Sequence, residues 1–200
     1  MKYFIDTEFL EGTQTKRFLG INYGKTAPTI ELISIGIVNE AGKTFYAVLK
    51  DFNLEEAWWR SQDCLNLEHG GVRKEYRIRE NVLKPIWQDY LNNHQSYYEK
   101  THYWQLTSEF SLKTMKRIIR RMGKSRQEIV QGIMQYLDYP RDCMDKKATF
   151  DFKNTEFYGY YADYDRVVVC WLWGQMKDLP EGFPYYCKDL KQMADEINLE

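Results

Sequence analysis

The first ten residues, Met1 to Leu10, set two carboxylates into an otherwise apolar run. Tyr3-Phe4-Ile5 favours a strand, and strand side chains alternate faces, so Asp6 and Glu8 point the same way. Two like charges on one face of a central strand repel unless a cation or a proton sits between them. A hard divalent cation with oxygen ligands is one resolution. A strand end whose two acids are simply solvated is the other.

The rest of the chain reads as a sheet with helices. Residues 2–9 give the first strand, and Glu11 to Pro28 reads as a loop or hairpin connection. Thr29 to Val38 is a long β-branched run, apolar enough for a central strand, followed by a turn at Asn39 to Lys43 and a third strand at Thr44 to Leu49. Short links predict an antiparallel meander at the start of a mixed sheet. Residues 73–92 have helix-like spacing with a break at Pro85, and 93–111 show no period and read as a loop. Leu112, Met115, Ile118, Ile119 and Met122 form a helical stripe. Ser125-Arg126-Gln127-Glu128 has capping-box spacing and opens the next helix. Glu156 to Tyr161 reads as a strand and Ala162 to Asp165 as the turn out of it. The stripe Val167, Val168, Trp171, Leu172, Met176 then gives a helix ending near Leu179-Pro180. Pro184 to Lys191 leads into a last amphipathic stretch. The expected class is α/β, in one domain over 1–200.

Charge is distributed unevenly. Residues 73–147 hold 16 Lys and Arg against 9 Asp and Glu, a balance of +7, whereas the remainder carries −8, so the net charge of −1 conceals the asymmetry. Acids gathered in the strand-bearing segments and bases in the middle suit a cation-centred site acting on a polyanion. The basic stripe of 113–124 could grip phosphates, with Tyr and Trp of 97–104 stacking on bases, or be the solvated face of a helix. No apolar run approaches the roughly 20 residues needed to cross a bilayer. The N-terminus lacks signal-peptide form, and four cysteines without a Cys-x-x-Cys pair read as reduced thiols. The expectation is a cytoplasmic protein with no membrane partner.

Asp165 sits where a strand gives way to a helix, at one end of a sheet. It could cap that helix, or join Asp6 and Glu8 in holding divalent cations. Taken in order, Phe4-Ile5-Asp6-Thr7-Glu8-Phe9, Thr29 to Gly36, Lys124-Ser125-Arg126-Gln127, Tyr164-Asp165 before Cys170-x-Leu172-Trp173-Gly174, and Phe183-Pro184 with Leu190-Lys191-Gln192 resemble the DEDD 3′–5′ exonucleases. The nearest likeness is to a small bacterial and phage exoribonuclease branch typified by a mycobacterial enzyme. The resemblance covers residues 1–50, 76–87 and 123–195, leaving 88–122 as an insertion. It implies a ribonuclease-H-like mixed β-sheet flanked by helices and two Mg²⁺ or Mn²⁺ ions. Asp6 would match the residue bridging both metals, Glu8 a ligand on the nucleophile side, and Asp165 a ligand of the other metal. Thr7 and Phe9 would fall where the 3′-terminal nucleotide packs.

The implied activity is hydrolysis of phosphodiesters at the 3′ ends of single-stranded RNA or an RNA 3′ overhang, with DNA open within the superfamily and a homodimer consistent with the family. The family's third motif, a His followed shortly by an Asp, has no counterpart. His69, His94 and His102 all precede Asp165. The expectation is that this motif lies beyond Glu200, and that the 200-residue form holds at most one metal well. The alternative is a catalytically impaired nucleic-acid-binding relative.

Overall fold

The structure is a computed structural model that describes residues 1–18, 21–65, 71–98, 108–138 and 155–197. In chain order its first elements are β1 (Lys2–Gly12), β2 (Thr15–Phe18), β3 (Ile21–Lys25), β4 (Thr29–Asn39) and β5 (Thr44–Val48). They are followed by α1 (Leu54–Trp59), β6 (Gln62–Leu65), β7 (Val72–Glu75), α2 (Lys84–Tyr98) and α3 (Leu112–Met122). The last third holds α4 (Arg126–Tyr136), β8 (Glu156–Gly159), α5 (Ala162–Trp173), β9 (Cys187–Asp189) and α6 (Leu190–Ile197). The chain divides into two compact units. One comprises Met1–Glu11, Thr29–Leu49 and Lys124–Glu200; the other comprises Gly12–Pro28 and Lys50–Gly123.

The first unit is a five-stranded mixed sheet in the order β5-β4-β1-β8-β9, flanked by helices. β4 and β5 are antiparallel, while β8 runs parallel to both β1 and β9. The Glu40 amide donates to the Lys2 carbonyl, whereas Gly36 lies beside the Asp6 carbonyl. As β1 advances, its neighbour on β4 therefore recedes, which makes that pair antiparallel. This is the α/β arrangement expected from the resemblance, a ribonuclease-H-like sheet. β4 is central as predicted, for Leu32 to Ile35 are buried without a break, so both of its faces are covered. Ile33, Ile35, Ile129, Ile133 and Phe157 lie at 0–1% exposure, and burying each such side chain contributes about 1.5–3 kcal/mol. Ser125 and Glu128 form the predicted capping box at the start of α4.

In the second unit, β2 pairs with β3 and β6 with β7, both antiparallel. The first pair realises the hairpin alternative for residues 11–28; the second was not foreseen. The sequence-based break at Pro85 does not occur. The helical backbone begins at Arg77 and passes without a break through a π-helical turn at Arg79–Leu83 into α2. Pro85 follows directly on that turn, whose i→i−5 bonding, with the Lys84 amide donating to the Arg79 carbonyl, shifts the ladder where the proline supplies no N–H. α2 also continues through residues 93–98, which read as loop because polar residues there hide the period. The stripe on α3 is confirmed: Met115, Ile118 and Ile119 are buried.

α5 departs from its expected face and length. Its buried residues are Ala162, Asp165, Val168, Val169, Cys170 and Leu172, while Val167, Trp171 and the downstream Met176 are exposed. The helix ends at Trp173 because Gly174 turns to φ +114°, a conformation open to glycine. β9 was missed, since three residues are too few to show alternation.

Candidate functional site

From Lys2 to Glu8, β1 delivers its side chains by alternation, before the phase shifts at Phe9 and the buried Leu10. Tyr3, Ile5 and Thr7 are buried, whereas Asp6 and Glu8 are exposed on the other face. The predicted acid pair therefore exists as a pair. Asp165 reaches it by a strand–turn–helix return. β8 runs parallel to β1 with Phe4 opposite Tyr158, ends at Gly159, and turns through Tyr160 and Tyr161 into α5. The turn is tight: a Cβ on Gly159 would stand 2.9 Å from the Ala162 Cβ and 3.4 Å from the Ile5 carbonyl. Tyr161 adopts φ +58° and ψ +51°, a left-handed conformation costing a non-glycine residue about 1–2 kcal/mol. That strain starts the helix close enough to the strand for its first turn to touch β1.

The touching residues are Thr7 and Asp165. The Thr7 amide donates to Asp165 Oδ1 at 2.9 Å, and Thr7 Oγ1 donates to the same oxygen at 2.5 Å. Both residues are 6% exposed. Two donors on one buried carboxylate oxygen hold that side chain in a single orientation, and Oδ2 takes no hydrogen bond from a described residue. A second strap lies beside the first. Tyr164 donates from its hydroxyl to Glu11 Oε1 at 3.2 Å, and its ring sits 5.7 Å from that of Phe9. Thr7 and Phe9, singled out in the sequence as nucleotide neighbours, thus both contact the first turn of α5.

The electrostatics bind the three acids into one group. Glu8 has a raised pKa because surrounding protein desolvates it and because the charges of Asp6 and Asp165 oppose its ionisation. Asp165 is also raised, chiefly by burial, with Thr7's two donors pulling the other way and Asp6 and Asp189 adding repulsion. Glu8 thus feels both Asp6 and Asp165 as like charge, and Asp165 feels Asp6. A bound cation would relieve that repulsion, and the donor set, carboxylate oxygen throughout, suits a hard divalent ion. Among the described residues, no three His, Cys, Asp or Glu side chains close into a ligand cage.

Asp189 is a residue that sequence reasoning passed over. It follows Lys188 on β9, where Gly159 is its register partner on β8. Its Oδ2 accepts from the Ala162 amide at 2.8 Å, and its Oδ1 accepts from the Lys191 and Gln192 amides at 2.7 and 3.0 Å. One carboxylate therefore caps the starts of both α5 and α6, and the Gln192 amide leads the donors that hold its pKa low. The available signal was Asp two and three residues ahead of those amides, an N-cap pattern. Arg166 secures the other side of α5, donating from Nη2 to the Pro184 carbonyl at 2.5 Å and from Nε to the Tyr185 carbonyl at 3.2 Å. Beside Asp6 the sheet also carries a groove of about 450 Å³, walled by Phe4, Phe45, Tyr46, Tyr158 and Tyr160.

Other candidates fall elsewhere. Asp163 is exposed one position from Tyr164. Asp195 pairs with Lys191 on α6. His69, His102, the His94 side chain and the aromatic side chains of 97–104 lie outside the described residues. No described helix is long and apolar enough to cross a membrane.

No protein-family model matches the chain. It is similar to two curated proteins, each a "3′–5′ exoribonuclease", from Mycobacterium tuberculosis strains CDC 1551 / Oshkosh and ATCC 25618 / H37Rv. With each the identity is 25% over 198 residues, covering 98% of this chain and 75% of the relative. The likeness runs through the whole acid-bearing sheet. It supports a nuclease.

Proposed function

We propose that this protein is a metal-dependent 3′–5′ exoribonuclease whose site is built from Asp6, Glu8 and Asp165. The observation that carries the reading is the Thr7–Asp165 contact, which joins a carboxylate 158 positions away to the strand bearing the acid pair. The similarity to two proteins named as 3′–5′ exoribonucleases supports the choice of chemistry. In this reading Asp6, Glu8 and Asp165 hold Mg²⁺ or Mn²⁺. Such ions sharpen a water into a nucleophile and stabilise the departing oxygen of a phosphodiester.

The chain's own residues do the positioning. Thr7 fixes Asp165 Oδ1 through two donors, Asp189 and Gly159 set where α5 begins, and Tyr164 and Phe9 hold that first turn against β1. Single-stranded RNA or an RNA 3′ overhang is the proposed substrate, with the aromatic groove beside Asp6 offering ring faces to bases. DNA is a substrate to be tested alongside RNA.

The test is digestion of 5′-labelled RNA with Mn²⁺. A ladder shortening from the 3′ end is expected, lost on chelation and in Asp6→Ala and Asp165→Ala. If chelation and both substitutions leave the label pattern unchanged, the catalytic reading fails. If RNA is bound but never shortened, the protein is a nucleic-acid-binding relative instead.

A further inference from the structure

The cationic side of α3 is not used by the carboxylate site. This helix carries five cations, Lys113, Lys116, Arg117, Arg120 and Arg121, and no acid. Met115, Ile118 and Ile119 anchor its other side in the core. Positions 113, 116, 117 and 120 follow the i, i+3, i+4, i+7 spacing of one helical face. Together with Leu112 they line a cavity of about 530 Å³.

A merely solvated helix face usually interleaves charges of both signs, which support one another at i and i+4. Here every neighbour on the face repels the next. Glu55 answers Lys116 in an ion pair, but Lys113 and Arg120 pair with no described acid. The Lys116–Glu55 pair is itself exposed, and pairs of that kind are weak enough to be exchanged. A concave surface lined by one sign of charge concentrates field lines and draws in a polyanion.

We propose that this groove binds the phosphate backbone of a single-stranded nucleic acid. The choice of nucleic acid among polyanions rests on the nuclease reading; the anion preference stands on the groove alone. The cations from Lys113 to Arg120 span about 10 Å of helix, which suits successive phosphates of a strand better than one small anion. Arg120 adds a planar fork matched to phosphate oxygens.

The experiment is fluorescence anisotropy of a short labelled single-stranded RNA, titrated with the full chain in EDTA at several salt concentrations. Affinity is expected to fall with salt. Lys113→Gln combined with Arg120→Gln should flatten the log–log slope by about 1.4, because each phosphate contact on a single strand contributes about 0.7. Lys25→Gln with Lys177→Gln, two exposed cations elsewhere, should leave the slope unchanged, and circular dichroism checks that both double variants fold. An unchanged slope and affinity in the α3 variant overturns the proposal. So does displacement of the RNA by pyrophosphate at equal phosphate concentration, which would mark a small-anion site. Binding in EDTA does not depend on cleavage. A protein that cuts RNA yet binds with an unaltered slope refutes the groove alone, and one that binds through the groove without cutting refutes the catalysis alone.

Discussion

Replacing Thr7 by Val removes the hydroxyl that donates to Asp165 Oδ1 at 2.5 Å, keeps the side-chain shape, and leaves the amide donor at 2.9 Å in place. Both partners are buried. A hydrogen bond to a charged group contributes about 1.5–3 kcal/mol, so Thr7→Val should lose that much at neutral pH. Thr7→Ser keeps the donor and loses one methyl, for about 0.8 kcal/mol. The sign of the pH dependence follows from Asp165 itself. Burial raises its folded pKa, so the protonated side chain favours the folded state, fully so below the unfolded value, and that advantage is lost as pH rises through the folded one. Thr7's hydroxyl opposes this rise. Its removal lifts the folded pKa further and does most damage where Asp165 is charged. Urea unfolding in EDTA should therefore find Thr7→Val clearly worse than Thr7→Ser near pH 7, with the two converging below about pH 4, where the remaining bond is a neutral one. A Thr7→Val penalty that does not change with pH refutes the argument. Strict additivity of Thr7→Val and Asp165→Asn would do the same, because contacting residues that share a bond must couple.

Three further outcomes follow from local geometry. Gly132→Ala places a Cβ 2.7 Å from the Phe45 ring; overpacking of about 1–3 kcal/mol should outweigh the helix-propensity gain of about 1 kcal/mol. In a Phe45→Ala background the same substitution should become stabilising by chemical denaturation. Burial tends to raise the Glu56 pKa, but the Thr15 amide and Arg60 prevail and hold it low. Its stabilisation is present above the ordinary glutamate range and is lost as pH falls through the folded value, so Glu56→Gln should lower stability by about 1–2 kcal/mol near pH 7 and by nothing near pH 2. Burial pushes the Cys187 thiol up to about 11. Brief iodoacetamide treatment of native protein near pH 8 should leave Cys187 unlabelled by mass spectrometry, because roughly one thiol in a thousand is then thiolate.

The features that sequence alone determined are those carried by short-range physics. Alternation along residues 2–9 placed Asp6 and Glu8 on one face, because a strand's period of two needs no partner to be read. The β-branched run at Thr29 to Val38 announced a strand covered on both sides. Ser125 and Glu128 marked a helix start through a bond between residues three apart. Asp165's position in the first turn of a helix was also legible, from the strand and turn before it.

Where apolar residues do not settle the outcome, tertiary structure decided it. Pro85 entered α2 because the π-helical turn before it removes the need for the proline's amide. α5 chose a buried face centred on Asp165, Val168, Val169 and Leu172 because Thr7 waits there with two donors, a preference no apolar stripe records. β9 exists because β8 offers an edge to pair with, and Asp189 caps two helices only once that pairing has formed. The joining of Asp165 to Glu8 and Asp6 belongs to the same class. Sequence specified three carboxylates; the contact between residues 7 and 165 brings them together, and only then do the charges of Asp6 and Asp165 help to raise the Glu8 pKa.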